Sequence, residues 1–189
     1  MDSTHKVTAR YETQYHLSLD SEYGELTGAG WYTAGTVVSI GPAPETIQSS
    51  AGTRYLFARW IVDDVERTSN PISITMDSPH TVITHYETQY YLSVDSEYGN
   101  PQGSGWYYSD STAEFSVPAT VGVIIQHHFT GWSGDSTAAT PAASIIVDGP
   151  KTVIANWRSD YSRLYIAIGI IIILAGTPLV VLIKRKRRV

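Results

Sequence analysis

The sequence predicts an all-β fold in which tandem small β-rich repeat modules are followed by a single transmembrane α-helix. Three observations support this prediction: an internal duplication at an offset of 75 residues, apolar and polar residues that alternate with period two, and an uncharged apolar run near the C-terminus. The predicted parts are a terminal strand of a preceding, truncated repeat (1–11), repeat unit 1 (12–86), repeat unit 2 (87–160), a transmembrane helix (164–183) and a basic cytoplasmic tail (184–189).

The first segment is assigned from its likeness to the ends of the two units. Asp2-Ser-Thr-His-Lys-Val7 corresponds to Asp77-Ser-Pro-His-Thr-Val82 and to Asp148-Gly-Pro-Lys-Thr-Val153. Residues 1–20 contain no basic stretch followed by an apolar one, so they do not form a signal peptide. We therefore expect these 189 residues to be the C-terminal part of a longer protein. A genuine start at Met1, with 1–11 pairing locally, stays open as the alternative.

The two units are copies of each other. Residues 11–24 (YETQYHLSLDSEYG) recur as residues 86–99 (YETQYYLSVDSEYG) with two differences in fourteen positions. The match continues through Gly30-Trp31-Tyr32 and Gly105-Trp106-Tyr107. Such a match at a fixed offset indicates an internal duplication, and we expect a shared strand around Tyr86 to Tyr90 to join one unit directly to the next.

Each unit is predicted to contain about five strands and no helix. Tyr15, Leu17 and Leu19 fall on one face of a strand, and their neighbours in sequence are polar. The same spacing recurs in Ile72-Ile74-Met76, Val82-Thr84-Tyr86 and Val153-Ala155-Trp157. The segment nearest to a helical pattern, 43–51, is short and rich in Ser and Pro. Since the chain has no cysteine, five Trp and 13 Tyr must supply the packing that disulfides often provide in small secreted modules.

The C-terminal run predicts a membrane anchor. Leu164 to Ile183 carries no charge, and twenty helical residues span about 30 Å, the hydrocarbon thickness of a bilayer. The run ends in a basic stop made of Lys184, Arg185, Lys186, Arg187 and Arg188, and such residues stay on the cytoplasmic side. We expect a single-pass protein of the cell membrane with its N-terminal part outside. A tail-anchored protein with a cytosolic N-terminal part is the alternative.

Charge limits the partners. All 18 Asp and Glu precede Leu164 and only seven Lys or Arg lie up to Ser162, which gives 7 − 18 = −11 for this part. Nucleic acid needs a basic surface, so we expect it not to be a partner. The expected partners are the lipid bilayer and other surface proteins or glycans.

Several segments resemble the divergent internalin B-repeat family of bacterial and archaeal surface proteins. They are Gly30–Val38, Thr68–Asp77, Phe129–Asp135 and Asp148–Val153. The resemblance implies small β-rich modules, related to a β-grasp arrangement, that act as stalks or adhesive spacers and carry no catalytic residues. Arg59-Trp60-Ile61-Val62 departs from the Gly131-Trp132-Ser133-Gly134 of the second unit, so the turn there is expected to differ.

No catalytic, cofactor-binding or metal-binding residues are predicted, and we expect the chain not to be an enzyme. Asp63 with Asp64, or Asp135 with Asp148, could contribute to a calcium site, but no EF-hand series is present and surface carboxylates in turns are the alternative. Aromatic residues at matched positions could instead stack on sugars, although such residues more often belong to a core. The candidate ligand-binding residues are Trp31, Tyr32, Trp106 and Tyr107.

Overall fold

A computed structural model describes residues 4–172 of the chain. The chain divides into two compact units, residues 1–89 and 90–189. The boundary lies inside one strand, so this strand closes the first unit and opens the second. The sequence placed the boundary three residues earlier, between 86 and 87.

Fourteen strands and one helix, α1 (162–172), form the described part of the chain. Both cores are built from strands, in agreement with the predicted all-β class. The strands are β1 Gln14–Asp20, β2 Gly30–Thr33, β3 Val37–Ile40, β4 Thr46–Ser50, β5 Thr53–Val62, β6 Val65–Arg67, β7 Ile72–Thr75, β8 His80–Ser96, β9 Gly105–Tyr108, β10 Ser111–Ser116, β11 Thr120–Val121, β12 Gln126–Gly134, β13 Ala142–Val147 and β14 Lys151–Asp160.

The first unit has two layers. In the larger sheet β2 pairs antiparallel with β1, β1 pairs parallel with the first part of β8, and β8 also pairs with β5. The second layer is a two-stranded antiparallel ribbon of β3 and β7. A parallel pair cannot be joined by a tight turn, and the crossover between β1 and β8 contains this ribbon.

The core of the first unit lies between the sheet and the ribbon. The sheet contributes Leu17, Trp60 and Val82, each with no exposed surface. From β7 come Ile72 and Ile74, which are buried while their neighbours in the strand are exposed. This alternation follows from the opposite directions of successive side chains in a strand, and it confirms the faces assigned from sequence.

The second unit repeats the arrangement. The second part of β8 pairs parallel with β14, which pairs antiparallel with β12, and β10 with β13 forms the ribbon. Its buried core consists of Leu92, Val94, Ala113, Phe115, Val117, Trp132, Val147, Val153 and Ala155. No residue from 4 to 161 is helical, so the face that a helix covers in a β-grasp fold is covered here by the ribbon.

The units contain more strands than the five predicted for each. The extra ones are short, and β4 occupies the segment that came nearest to a helical pattern. The predicted difference in the turn after Trp60 is confirmed: β5 continues through a turn at Asp63 and Asp64, both with positive φ, into β6, whereas β12 ends at Gly134 with φ 88°. The described part of the predicted terminal strand, residues 4–11, is exposed and forms no strand, and the same holds for residues 12 and 13.

The helix α1 begins just after the last strand. Asp160 accepts hydrogen bonds from the backbone N–H and the hydroxyl of Ser162, which satisfies donors at the helix start and lowers the pKa of the Asp160 carboxyl. No helix within residues 4–172 has the length and apolarity needed to cross a membrane. Residues 173–183 of the predicted span and the basic stop 184–188 lie outside the described residues.

Candidate functional site

The most exposed tryptophan of the chain's described part is Trp31 on β2, with 67% of its surface accessible. It pairs with His16 across the antiparallel β1–β2 ladder, and the two rings meet edge to face with centroids 5.1 Å apart. Among the described strands β2 pairs with β1 alone, so Trp31 lies at the edge of the sheet. A large aromatic ring is thus presented to solvent on the outer face of the first unit.

The second unit carries a less exposed version of the same pair. Trp106 on β9 is half-buried and lies edge to face with Tyr91 on β8, with centroids 5.3 Å apart. Tyr108, two residues further along β9, is 46% exposed. His16 and Tyr91 occupy one of the two positions at which the duplicated segments differ, so the two outer faces have different chemistry.

The two predicted tyrosines do not share this face. Tyr32 and Tyr107 are half-buried and pack against the cores of their units. Their hydroxyls donate hydrogen bonds to the carbonyls of Gly28, at 2.6 Å, and Gly103, at 2.8 Å. Adjacent residues of a strand point to opposite faces, so the predicted group of four aromatic residues divides into an outer tryptophan and an inner tyrosine in each unit.

A chain of ring contacts runs through the first unit. Phe57 contacts Trp60 at 5.5 Å and Tyr86 at 5.7 Å, Tyr86 contacts Tyr23 at 5.9 Å, and Tyr23 stacks on Tyr55 at 3.7 Å between centroids. Hydrogen bonding to Tyr55, together with partial burial, raises the pKa of Tyr23. Edge-to-face and stacked rings of this kind stabilise beyond their buried area. The ring of Tyr23 therefore has a structural role.

The second unit has the same chain of ring contacts with different members. Trp157 replaces Tyr86, and His127 replaces Tyr55 as the ring that stacks on Tyr98, at 3.6 Å. The repeated Ser-Glu-Tyr-Gly turn positions that tyrosine, since the Ser96 hydroxyl donates to the carbonyl of Tyr98 and Gly99 takes φ 78°. This turn lies in the segment that is most similar between the two units, and its role is to place a structural tyrosine.

A charged group that sequence reasoning missed lies in the first unit. We call Asp63, Asp77 and His80 the turn cluster, because they come from the β5–β6 turn, the β7–β8 turn and the start of β8. His80 Nδ1 lies 2.5 Å from Asp63 Oδ2, and its Nε2 lies 3.1 Å from Asp77 Oδ1 and 3.1 Å from the Thr75 carbonyl. The signal that could have identified it is the alignment of Asp77 and His80 with Asp148 and Lys151 of the second unit.

The turn cluster does not have the hydrogen bonds of a hydrolase triad. The Ser78 hydroxyl is 3.5 Å from His80 Nε2, further than the two acceptors that already face this nitrogen. A general base needs an unprotonated nitrogen directed at the nucleophile, whereas these acceptors favour a proton on Nε2. In the part of the chain that the structure describes, no three His, Asp or Glu side chains are arranged to hold a metal ion.

Comparison with known families gives one finding. The model of the Divergent InlB B-repeat domain matches residues 15–89 and 94–160, which together make up most of the chain. Each match covers one of the two units built around its own core. The searches of curated proteins and of solved structures found no match.

Proposed function

Because the chain belongs to the Divergent InlB B-repeat domain family, we propose that it is a load-bearing stalk of a cell-surface protein. The observation that carries this proposal is the pairing of each unit's first and last strands. β1 and β8 are parallel neighbours in the first unit, as are β8 and β14 in the second. Each unit thus has its entry strand bonded directly to its exit strand.

Parallel pairing matters because of where tension is applied. The chain enters the first unit at the beginning of β1 and leaves it toward the end of β8, so the two points of force lie at opposite ends of the pair. The register from Leu17–His80 to Asp20–Ile83 is then loaded in shear, with its hydrogen bonds sharing the force. An antiparallel hairpin pulled at its open end breaks one bond at a time instead.

Force spectroscopy on the full-length chain in detergent tests this proposal. Pulling on the two chain ends should give two unfolding events, each releasing roughly 70 residues at about 3.5 Å per residue. The matched control pulls the same protein through V37C and T75C, which pair directly at one end of the β3–β7 ribbon. The chain has no other cysteine to react with the handles. End-to-end unfolding at forces no higher than those of the control would refute a load-bearing role.

We further propose that residues 164–183 anchor the stalk in the cell membrane, with the units outside and the basic stop in the cytoplasm. Residues 164–172, which belong to α1, support the proposal because their apolar side chains are exposed on all sides of the helix. The exposed fractions of Ile166, Ile168, Ile170 and Ile171 are 45–64%. Protease treatment of intact cells should release peptides from residues 11–158. Protection of these peptides until lysis would indicate the tail-anchored, cytosolic alternative.

A second candidate function is glycan binding through the outer tryptophans, and the exposure of Trp31 favours it. An exposed aromatic ring on a polar face offers a stacking surface to a pyranose. Trp31→Ala and Trp106→Ala should then abolish binding on a glycan array without unfolding either unit. Tyr32→Phe is the matched control, because Tyr32 lies on the inner face. Equal binding by the wild type and both Trp variants would exclude this function. We further propose that the chain is not an enzyme.

A further inference from the structure

The turn cluster connects two turns of the first unit through Asp63 and His80, which are 17 residues apart in sequence. Asp63 accepts from the Thr81 backbone N–H at 2.8 Å as well as from His80, and its own N–H donates to the Thr81 carbonyl at 3.0 Å. Only 14% of the His80 side chain is accessible. The imidazole is thus mostly buried between two carboxylates that are themselves accessible, Asp63 at 44% and Asp77 at 76%.

The geometry requires a particular protonation state of His80. Both ring nitrogens face oxygen acceptors: Nδ1 faces the Asp63 carboxylate, and Nε2 faces the Asp77 carboxylate and the Thr75 carbonyl. A neutral imidazole has one N–H, so the lone pair of its unprotonated nitrogen would point at an acceptor oxygen. The imidazolium donates from both nitrogens, and it alone satisfies the whole arrangement.

The second unit keeps the backbone part of this connection and has a lysine in place of His80. Asp135 accepts from the Thr152 N–H at 2.7 Å, as Asp63 does from Thr81, and Lys151 occupies the position of His80. Lys151 Nζ lies 2.6 Å from Asp148, the counterpart of Asp77. A lysine remains charged throughout the range in which histidine loses its proton. The ion pair of Lys151 lies within its own turn, so the two units have a titratable and a permanently charged residue at the same position but with different partners.

We propose that the first unit contains a pH-sensitive latch, in which protonated His80 ties the β5–β6 turn to the β7–β8 turn and deprotonation loosens this tie. The matching connection of the second unit joins Asp135 to Thr152, and it should not respond to pH in this range because Lys151 keeps its charge. This inference does not depend on the stalk function, since it concerns the stability of the unit alone.

The sign of the pH dependence follows from the charges around His80. The hydrogen bond to Asp63 raises the pKa of His80, and Asp77 adds to this, against a lowering effect of burial. The latch therefore stabilises fully below the unfolded-state pKa of histidine and is lost as the pH rises through the higher folded-state pKa. Burial alone would raise the pKa of Asp63, but hydrogen bonds from Thr81 and His80 outweigh it and lower the pKa, so Asp63 keeps its charge in mildly acidic solution.

The latch borders a cleft of about 370 Å³ that is lined by strands β5, β6 and β7. The charged groups around it are Asp63, Asp77 and His80 themselves and Arg67 on β6, while Val62, Ile72 and Ile74 supply buried apolar surface. Loss of the His80–Asp63 contact frees the β5–β6 turn. This turn leads into β6, a strand that has no counterpart after β12 in the second unit. We therefore expect the opening to be local to residues 60–83.

Hydrogen exchange with mass spectrometry on the full-length chain tests the latch, because peptides report on each unit separately. After correction for the intrinsic effect of pH, amides in 60–83 should exchange at least about threefold faster at pH 8 than at pH 5.5, whereas those in 132–154 should not change. His80→Lys, which copies the second unit, should remove this ratio. His85→Lys, a variant of another histidine on β8, should retain it.

The reciprocal variant Lys151→His moves the test to the second unit. It should give residues 132–154 the pH dependence that the wild type shows in the first unit, so the latch can be tested even if His80→Lys fails to fold. An unchanged pH ratio in a folded His80→Lys protein would overturn the proposal. The absence of any new pH dependence in Lys151→His would overturn it as well.

Discussion

The two core tryptophans make a matched pair that isolates the energetic effect of one indole N–H. Trp132 donates from Nε1 to the carbonyl of Thr140 at 3.0 Å. Trp60 Nε1 is buried and has no hydrogen-bond acceptor among the described residues. Trp→Phe removes the same atoms at either position, and each tryptophan is at most 5% exposed and packs on a phenylalanine at 5.4–5.5 Å. Trp132 also contacts Phe115 at 4.8 Å.

Most of the cavity cost of the two substitutions should cancel in a comparison, and the extra contact with Phe115 adds to the loss at Trp132. Trp132→Phe also loses a hydrogen bond, which contributes about 1 kcal/mol to stability. Trp60→Phe instead removes an unpaired buried donor, whose desolvation costs the native state at least about 1 kcal/mol. Trp132→Phe should thus lower the free energy of unfolding of its unit by about 2 kcal/mol more than Trp60→Phe, or roughly 30-fold in the opening constant.

Hydrogen exchange of the most protected amides in each unit measures this difference, with each variant compared with the same unit of the wild type. Because the reading is specific to the unit, the presence of the other unit does not mask the effect. Equal losses for the two variants, or a larger loss for Trp60→Phe, would refute the reasoning that the indole N–H of Trp60 is unsatisfied.

Three further outcomes follow from burial and backbone geometry. Trp132→Ala should destabilise the second unit by about 3–5 kcal/mol, and a folded variant of unchanged stability would contradict this. Trp31→Ala should change stability by less than about 0.5 kcal/mol, because the side chain is exposed; a larger loss in thermal unfolding would assign it to the core. Gly103→Ala should destabilise more than Gly35→Ala, although both glycines have positive φ. A Cβ at position 103 would lie 2.3 Å from the Glu114 carbonyl oxygen, whereas a Cβ at position 35 would have no neighbouring atom within 4 Å among the described residues. Similar melting temperatures for the two glycine variants would contradict that ranking.

Sequence reasoning identified the fold class and the inward faces because both depend on local pattern. Alternation placed Leu17, Val82, Val153 and Ile74 on core faces, and all four are buried. The duplication predicted that a strand near Tyr86–Tyr90 joins the units, and β8 is continuous through this segment. These features need no knowledge of which strands are neighbours.

Pairing and side-chain contacts could not be predicted in the same way. The parallel neighbours β1 and β8 are separated by about 60 residues, and no local pattern specifies such a pair. The grouping of Trp31 with Tyr32 relied on adjacency in sequence, while the strand turns the two rings to opposite faces. The turn cluster was missed because Asp63 and His80 meet only when the two turns come together.

Several buried positions keep the same residue type in the two units, although Met76 corresponds to Val147 and Tyr86 to Trp157. Leu17 and Leu92, Val82 and Val153, and Trp60 and Trp132 are matched pairs of the same residue types, and each is at most 5% exposed. By contrast, His16 is replaced by Tyr91 on the outer face, and His80 is replaced by Lys151 in the connecting turns. A buried substitution costs stability through cavities or strain, whereas an exposed one costs little. The duplication has therefore retained one scaffold while the two copies acquired different surface chemistry, which is why each unit can serve as the control for the other.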